Sequence, residues 1–232
     1  MVDLIAELIE KQDMFEIVRD QIAAILAAET VSQVQKAIDD GKTADEALAW
    51  AFNVYTERAR PWEALIDTTR EDGEVMDETP VVNVWFDNGT FPQAQGDTVE
   101  RQAFDAAFNI DIYAAAISAD DGGAGYFSGD ETAARAAQRI VRLSRNILMS
   151  GLNTYLQLRG FVWRRWPGSI TMFQPQLNEL PVQNVIAGRF VLNVKFNEVS
   201  PQVPTEDLEE LAIEIKRAED GKIIVNTQYD MT

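Results

Sequence analysis

The chain has 232 residues, 46% hydrophobic and 25% charged, with a formal net charge of −18, the composition of a soluble globular protein long enough to bury a core. It contains no cysteine and no histidine. That excludes disulfide frameworks, thiolate zinc sites, thiol nucleophiles and Ser-His activation, and removes the commonest general base and metal ligand. No run reaches the length of a membrane span.

The N-terminal stretch MVDLIAELIEKQDMFEIV is acidic and amphipathic, without a basic n-region or a small-residue cleavage site, so no signal peptide is expected. Residues 3–28 are predicted as a helix, because Leu4, Leu8, Phe15, Val18, Ile22, Ile25 and Leu26 recur near the helical period. QVQKAIDDG (33–41) reads as a short helix stopped by Gly41. TADEALAWAFNVYTERARPW (43–62) is predicted as the next helix, opened by a Thr43–Glu46 capping box and ended or kinked at Pro61. TTREDGEVMDETP (68–80) reads as a loop.

PVVNVWFD (80–87) is β-branched and aromatic, hence a strand, and NGTFPQAQGDT (88–98) is a long turn-rich connection. In QAFDAAFNIDIYAAAIS (102–118), Phe104, Ala106, Phe108, Ile110 and Ile112 alternate with Asp105, Asn109 and Asp111, which predicts a strand with one wet face. ADDGGAGYFSGD (119–130) reads as a flexible glycine-rich loop. Ser128 and Glu131 have capping-box spacing at the head of a helix predicted over 131–158, with Ile140, Leu143, Ser144, Ile147, Leu148 and Tyr155 on one arc. GFVWRRWPGSITMFQP (160–175) is predicted as two short strands about Pro167-Gly168, and VIAGRFVLNVKFNEV (185–199) as a cleanly alternating strand. LEELAIEIKRAEDGKIIVNTQYD (208–230) reads as a hairpin turning at Asp220-Gly221. The order predicts an α+β protein: a mixed or antiparallel sheet covered by one long helix, with an N-terminal helical extension. The division expected is 1–79, N-terminal helices and an inserted helical lobe, and 80–232, the α+β domain.

Few motifs carry chemistry. Glu214 and Lys216 have the local form of a metal-nuclease triplet, but they also alternate with Ile213 and Ile215 in a predicted strand, and the exposed strand face is the favoured reading. ADDGG and GDE offer acidic oxygens near glycines without the calcium-loop register, and no phosphate-cradling glycine motif occurs. WRRWP (163–167) is suited to cation–π contacts or base stacking; packing or a subunit contact is preferred. Neither catalysis nor a cofactor or metal is expected.

Charge is the strongest signal. Residues 1–131 hold 28 acids and 8 bases, residues 132–199 hold 2 and 9, and residues 200–232 hold 8 and 3. Within the basic stretch Arg135, Arg139, Arg142 and Arg145 fall at intervals of four, three and three, opposite the apolar arc. No acid follows Glu131 in that helix, so the sequence reading gives the row no i,i+4 partner. A solvated helix face is the plain explanation. The alternative is a subunit interface in which one copy's basic face meets the acidic face of the next, as a head-to-tail ring requires. A net field of this sign repels free DNA.

FEIVRDQIAAILAAE, PVVNVWFDNGTF, FNIDIYAAA, a glycine-rich loop, AARAAQRIVRLSRNILMS and VIAGRFVLNVKFNEVSP occur in an order that resembles the tail terminator (tail-completion) proteins of long-tailed bacteriophages, over roughly residues 14–30 and 80–200. The resemblance implies a small α/β fold assembling as a homo-hexameric ring. That ring caps the finished tail tube at the tail–neck junction of a virion assembled in the host cytoplasm. Its partners would be copies of itself, the tail tube protein, a neck or head-completion protein and the tail sheath, with DNA only as passing cargo and no membrane. Residues 31–79 depart from the short form of the family. The loop bearing Asp121, Gly122, Gly123, Tyr126 and Phe127 would dock a neighbouring ring, and the strand Phe190–Glu198 or the terminal hairpin would add to a partner's sheet. Alternatives are another head–tail connector or neck ring, a binding module that docks an acidic peptide, and, remotely, a metal-dependent nuclease.

Overall fold

The computed structural model describes residues 12–66, 75–92, 101–120, 126–177, 180–181, 184–199, 210–216 and 223–230. The chain divides into two compact units, Gln12–Val199 and a second made of Met1–Lys11 with Ser200–Thr232. The larger unit runs across residue 80.

Helix α1 spans Met14–Asp39 without a break. The sequence reading separates two helices at the polar stretch after residue 28. The structure joins them, because those polar side chains find partners: Glu29 accepts from Gln33 at 3.1 Å, and the Thr30 hydroxyl donates to Trp50 O at 3.3 Å and accepts the Phe52 N–H at 3.0 Å. The helix stops at Asp40, followed by Gly41 at φ +87°, a conformation natural to glycine. Val18, Ile22, Ile25 and Leu26 form its buried stripe.

The Thr43–Glu46 capping box forms as the spacing predicts: the Thr43 hydroxyl accepts the Glu46 N–H at 3.2 Å and the Glu46 carboxylate accepts the Thr43 N–H at 2.9 Å. The helix predicted over 43–62 nevertheless lasts one turn, α2 (Ala44–Ala47), and passes through a 3-10 turn at Leu48–Trp50 into strand β1 (Asn53–Thr56). Asn53, Val54, Tyr55 and Thr56 pair in parallel with Val81–Val84 of strand β2 (Val81–Thr90). Sheet pairing of a β-branched and aromatic segment outweighs the helical pattern of its alanines. A second 3-10 turn, Pro61–Ala64, follows.

Strand β3 (Arg101–Ala115) leads to a two-residue pair, β4 (Ala119–Asp120) with β5 (Tyr126–Phe127). Helix α3 covers Gly129–Leu148 and does not reach residue 158. Beyond it the chain turns through a 3-10 segment at Gly151–Asn153 and residues of positive φ at Leu156, Gln157 and Gly160. The helix ends because its last carbonyls are taken by side chains. Arg165 donates to the carbonyls of Leu148, Ser150 (2.6 Å) and Thr154 (2.9 Å), and Asn153 donates to Ile147 O at 2.9 Å.

Strand β6 (Val162–Phe173) is one strand, not the two predicted about Pro167-Gly168. Its register against its neighbour slips between Pro167 and Ile170, so the turn signal is absorbed as a bulge. A short pair, β7 (Gln176–Leu177) with β8 (Leu180–Pro181), precedes the long strand β9 (Val185–Val199). The sheet order is β1-β2-β3-β9-β6, with β1 parallel to β2 and all other neighbours antiparallel. The unit is α+β. Helices α1 and α3 cover one face of the sheet: Val18, Ile22, Leu26, Ala137, Ile140 and Leu148 close over Val82, Val84, Phe108, Ile110, Phe190, Leu192 and Phe196. On the other face a smaller cluster, centred on Leu65, Ile66 and Tyr113, is roofed by the 61–66 segment.

In the second unit, strands β10 (Glu210–Lys216) and β11 (Ile223–Asp230) pair antiparallel from Glu210↔Asp230 to Ile215↔Val225. This is the predicted hairpin; its Asp220-Gly221 turn lies outside the described residues.

Candidate functional site

Helix α3 sets the basic surface. Ala133, Ala137, Ile140, Val141, Ser144, Ile147 and Leu148 are buried, so the residues between them must face outward. Arg135, Arg142 and Arg145 are exposed and Arg139 is half-buried. Arg135 does have an i,i+4 partner, Glu131 at 2.5 Å, in the turn before it, which corrects the expectation that the row has none. Glu131 is therefore not part of a capping box: Ser128 makes no side-chain cap and donates to Asp130 instead. Arg139 reaches Ala49 O at 3.4 Å and Arg145 the side-chain oxygen of Asn146 at 3.3 Å. The row thus runs from a helix-internal ion pair to guanidinium groups that meet no carboxylate among the described residues.

The residues of WRRWP separate by role. Arg165 caps α3. Arg164 stacks over Trp166 at 4.6 Å, and Lys195 over Trp163 at 5.7 Å. The indole N–H of Trp163 lies 2.9 Å from the side-chain oxygen of Asn197, oriented to accept it. Asp121, Gly122 and Gly123 lie outside the described residues, whereas Tyr126 and Phe127 form β5. Glu214 and Lys216 sit in β10, opposite Asn226 and Ile223. No group of three or more acidic side chains is placed to hold a metal among the described residues, and no described helix is long and apolar enough to cross a membrane.

Strand Phe190–Glu198 cannot add to a partner's sheet. It lies within β9, which is paired along both sides by β3 and β6. The edges of the sheet are β1 and β6.

The face of β3 predicted to be wet is the other departure. Asn109 and Asp111 are buried. Both oxygens of Asp111 accept from Arg189 on β9, at 2.7 and 2.8 Å, and Oδ2 also accepts the Trp85 indole N–H at 2.9 Å. The Arg189 guanidinium is packed between Trp85, 5.0 Å from its ring, and Phe173, at 5.7 Å. The hydrogen bonds to Asp111 raise the Arg189 pKa above its ordinary value. Burial, and then the Asp111 charge, push the Tyr113 phenol up in turn. These groups floor a cleft of about 410 Å³ whose rim is Glu57, Arg58 and Trp62. Asn83 secures that rim by exchanging two hydrogen bonds with the Arg58 backbone, at 3.0 and 3.1 Å. With Arg189 and Asp111 neutralising each other, the cleft is a polar brace and not an anion trap. Its sequence signal was an aspartate in a strand of buried neighbours, opposite the one arginine of β9.

Compared with known proteins, the chain matches no family model and no curated protein.

Proposed function

We propose that this protein is a structural component of a phage tail, closing into a homo-hexameric ring that caps the tail tube at the tail–neck junction and offers its other surface to a neck or head-completion protein. The observation that carries the reading is the division of charge across the sheet. Residues 13–57, which supply α1, α2 and the edge strand β1, hold nine acids and three bases; residues 132–177, which supply the opposite edge strand β6 and α3, packed over β9 and β3, hold seven bases and no acid. A subunit with opposite poles at opposite edges associates head to tail, and such contacts make a ring when the rotation closes. The resemblance to tail terminators gives that ring its place, and a net negative surface suits a channel through which DNA passes without being held.

Native mass measurement tests the reading. Six copies are expected, alone or on addition of purified tail tubes. Arg142→Glu with Arg145→Glu weakens assembly most at low ionic strength, where screening is least. Monomers that persist with tube and neck proteins present overturn it.

A further inference from the structure

We propose that β6 of one copy pairs antiparallel with β1 of the next, so that the sheet continues from subunit to subunit and the neighbour's α1 covers β6. This rests on the ring reading and names its joint.

Both edge strands are unpaired on their outer sides among the described residues. From β1 across to β6, one parallel step and three antiparallel steps leave the two edges running in opposite directions. A copy displaced sideways along the sheet, without inversion, therefore lays its β1 antiparallel to β6.

The helix layer stops one strand short. α3 lies so close over β9 that a Cβ at Gly188 would come within 2.7 Å of Val141 and 2.9 Å of the Met172 sulfur. Beyond that contact Ile170, paired with Phe190, and Met172, paired with Gly188, point to the helix side of β6 and are 49% and 38% exposed. A long edge with exposed apolar side chains is what folded proteins normally cover.

At the opposite edge the cover is in place. α1 runs antiparallel alongside β1: Thr30 bonds the backbone at Trp50 and Phe52, and Arg19 pairs with Glu57 at 3.2 Å. Eleven residues of helix and five of strand both span about 16 Å, so helix and strand keep in step. Continuing the sheet brings that helix over Ile170 and Met172. Charge agrees. Arg145 stands one turn beyond Val141 on the flank of α3 nearest β6. The incoming edge carries Asp20 and Glu57, two carboxylates sharing the single cation Arg19. One joint would satisfy the open edge, the uncovered apolar pair and the arginines.

Because the chain has no cysteine, disulfide trapping is clean. Thr56→Cys and Ile170→Cys proteins, exposed positions that both face the helix side of the sheet, are mixed and oxidised. The expected product is a heterodimer absent from either protein alone, and a ladder of linked copies from the doubly substituted chain. Because the register is open by two residues on that face, Met172→Cys is tried in place of Ile170→Cys. Oligomers that form while neither position links to residue 56 overturn the shared sheet and leave the ring standing. Monomers under every condition overturn both.

Discussion

Alternate residues of β3 are buried for different reasons. Phe108, Ile110 and Ile112 are buried beneath α1 and α3, where apolar area meets apolar area. Asn109 and Asp111, pointing the other way, are as deeply buried with no helix above them. Asp111 is dry because Arg189, Trp85 and Phe173 close around it. The first face tolerates any apolar residue of the right volume. The second depends on particular partners, since a buried charge is stable only while its counter-charge and hydrogen bonds remain.

Four experiments break or sharpen that contrast. Phe108→Ala empties the centre of the helix-covered face and is expected to cost about 3–5 kcal/mol, read as a lower urea midpoint with an unchanged slope. A loss below about 1 kcal/mol would mean that this face does not dominate stability. Arg189→Met leaves Asp111 buried and unpaired, and is expected to cost about 3 kcal/mol. Adding Asp111→Leu to it recovers most of that loss, because the penalty lies in the orphaned charge; simple additivity of the two changes would refute the account.

Tyr113 supplies a pH test. Its phenol is raised in the folded state, first by burial and then by the Asp111 charge. Below the ordinary phenol value of about 10 both folded and unfolded chains keep the proton and the contribution is complete. Above that value the unfolded chain releases the proton while the folded chain retains it, so stability falls by about 1.4 kcal/mol per pH unit. Tyr113→Phe should flatten this alkaline limb in urea titrations at rising pH. The smallest effect is expected at the exposed end of the same face, where Lys195 and Asp105 stand 3.6 Å apart with part of each side chain in water. Lys195→Met should change stability by less than about 1 kcal/mol. A larger loss would extend the buried polar network along the whole strand.

The elements that followed the sequence reading share a short range. The alternation of β3 and β9, the buried arc of α3 from Ile140 to Leu148, without the predicted Tyr155, which is exposed beyond the helix, and the Thr43–Glu46 cap depend on residues within a few positions of one another. The elements that departed from it answer to distant partners. β1 is a strand because Val81–Val84 lies beside it, and α3 stops near Leu148 because Arg165 occupies its last carbonyls. Asp111 lies dry because Arg189, 78 residues away, reaches it. For the candidate site, the arginine row was legible as helical spacing. Its partial use inside the subunit, by Glu131 and by Ala49 O, was not.

Residue order alone determined the α+β class, the apolar face that β3, β9 and helix α3 turn to the core, and the separation of an acidic first half from a basic middle. Tertiary structure decided which polar residues are dry, where helices end, and that β1 and β6 form the two edges of one sheet. The reason is physical: periodicity and capping are satisfied within a turn or two of chain, whereas burial of a charge and the order of strands exist only once remote segments have met.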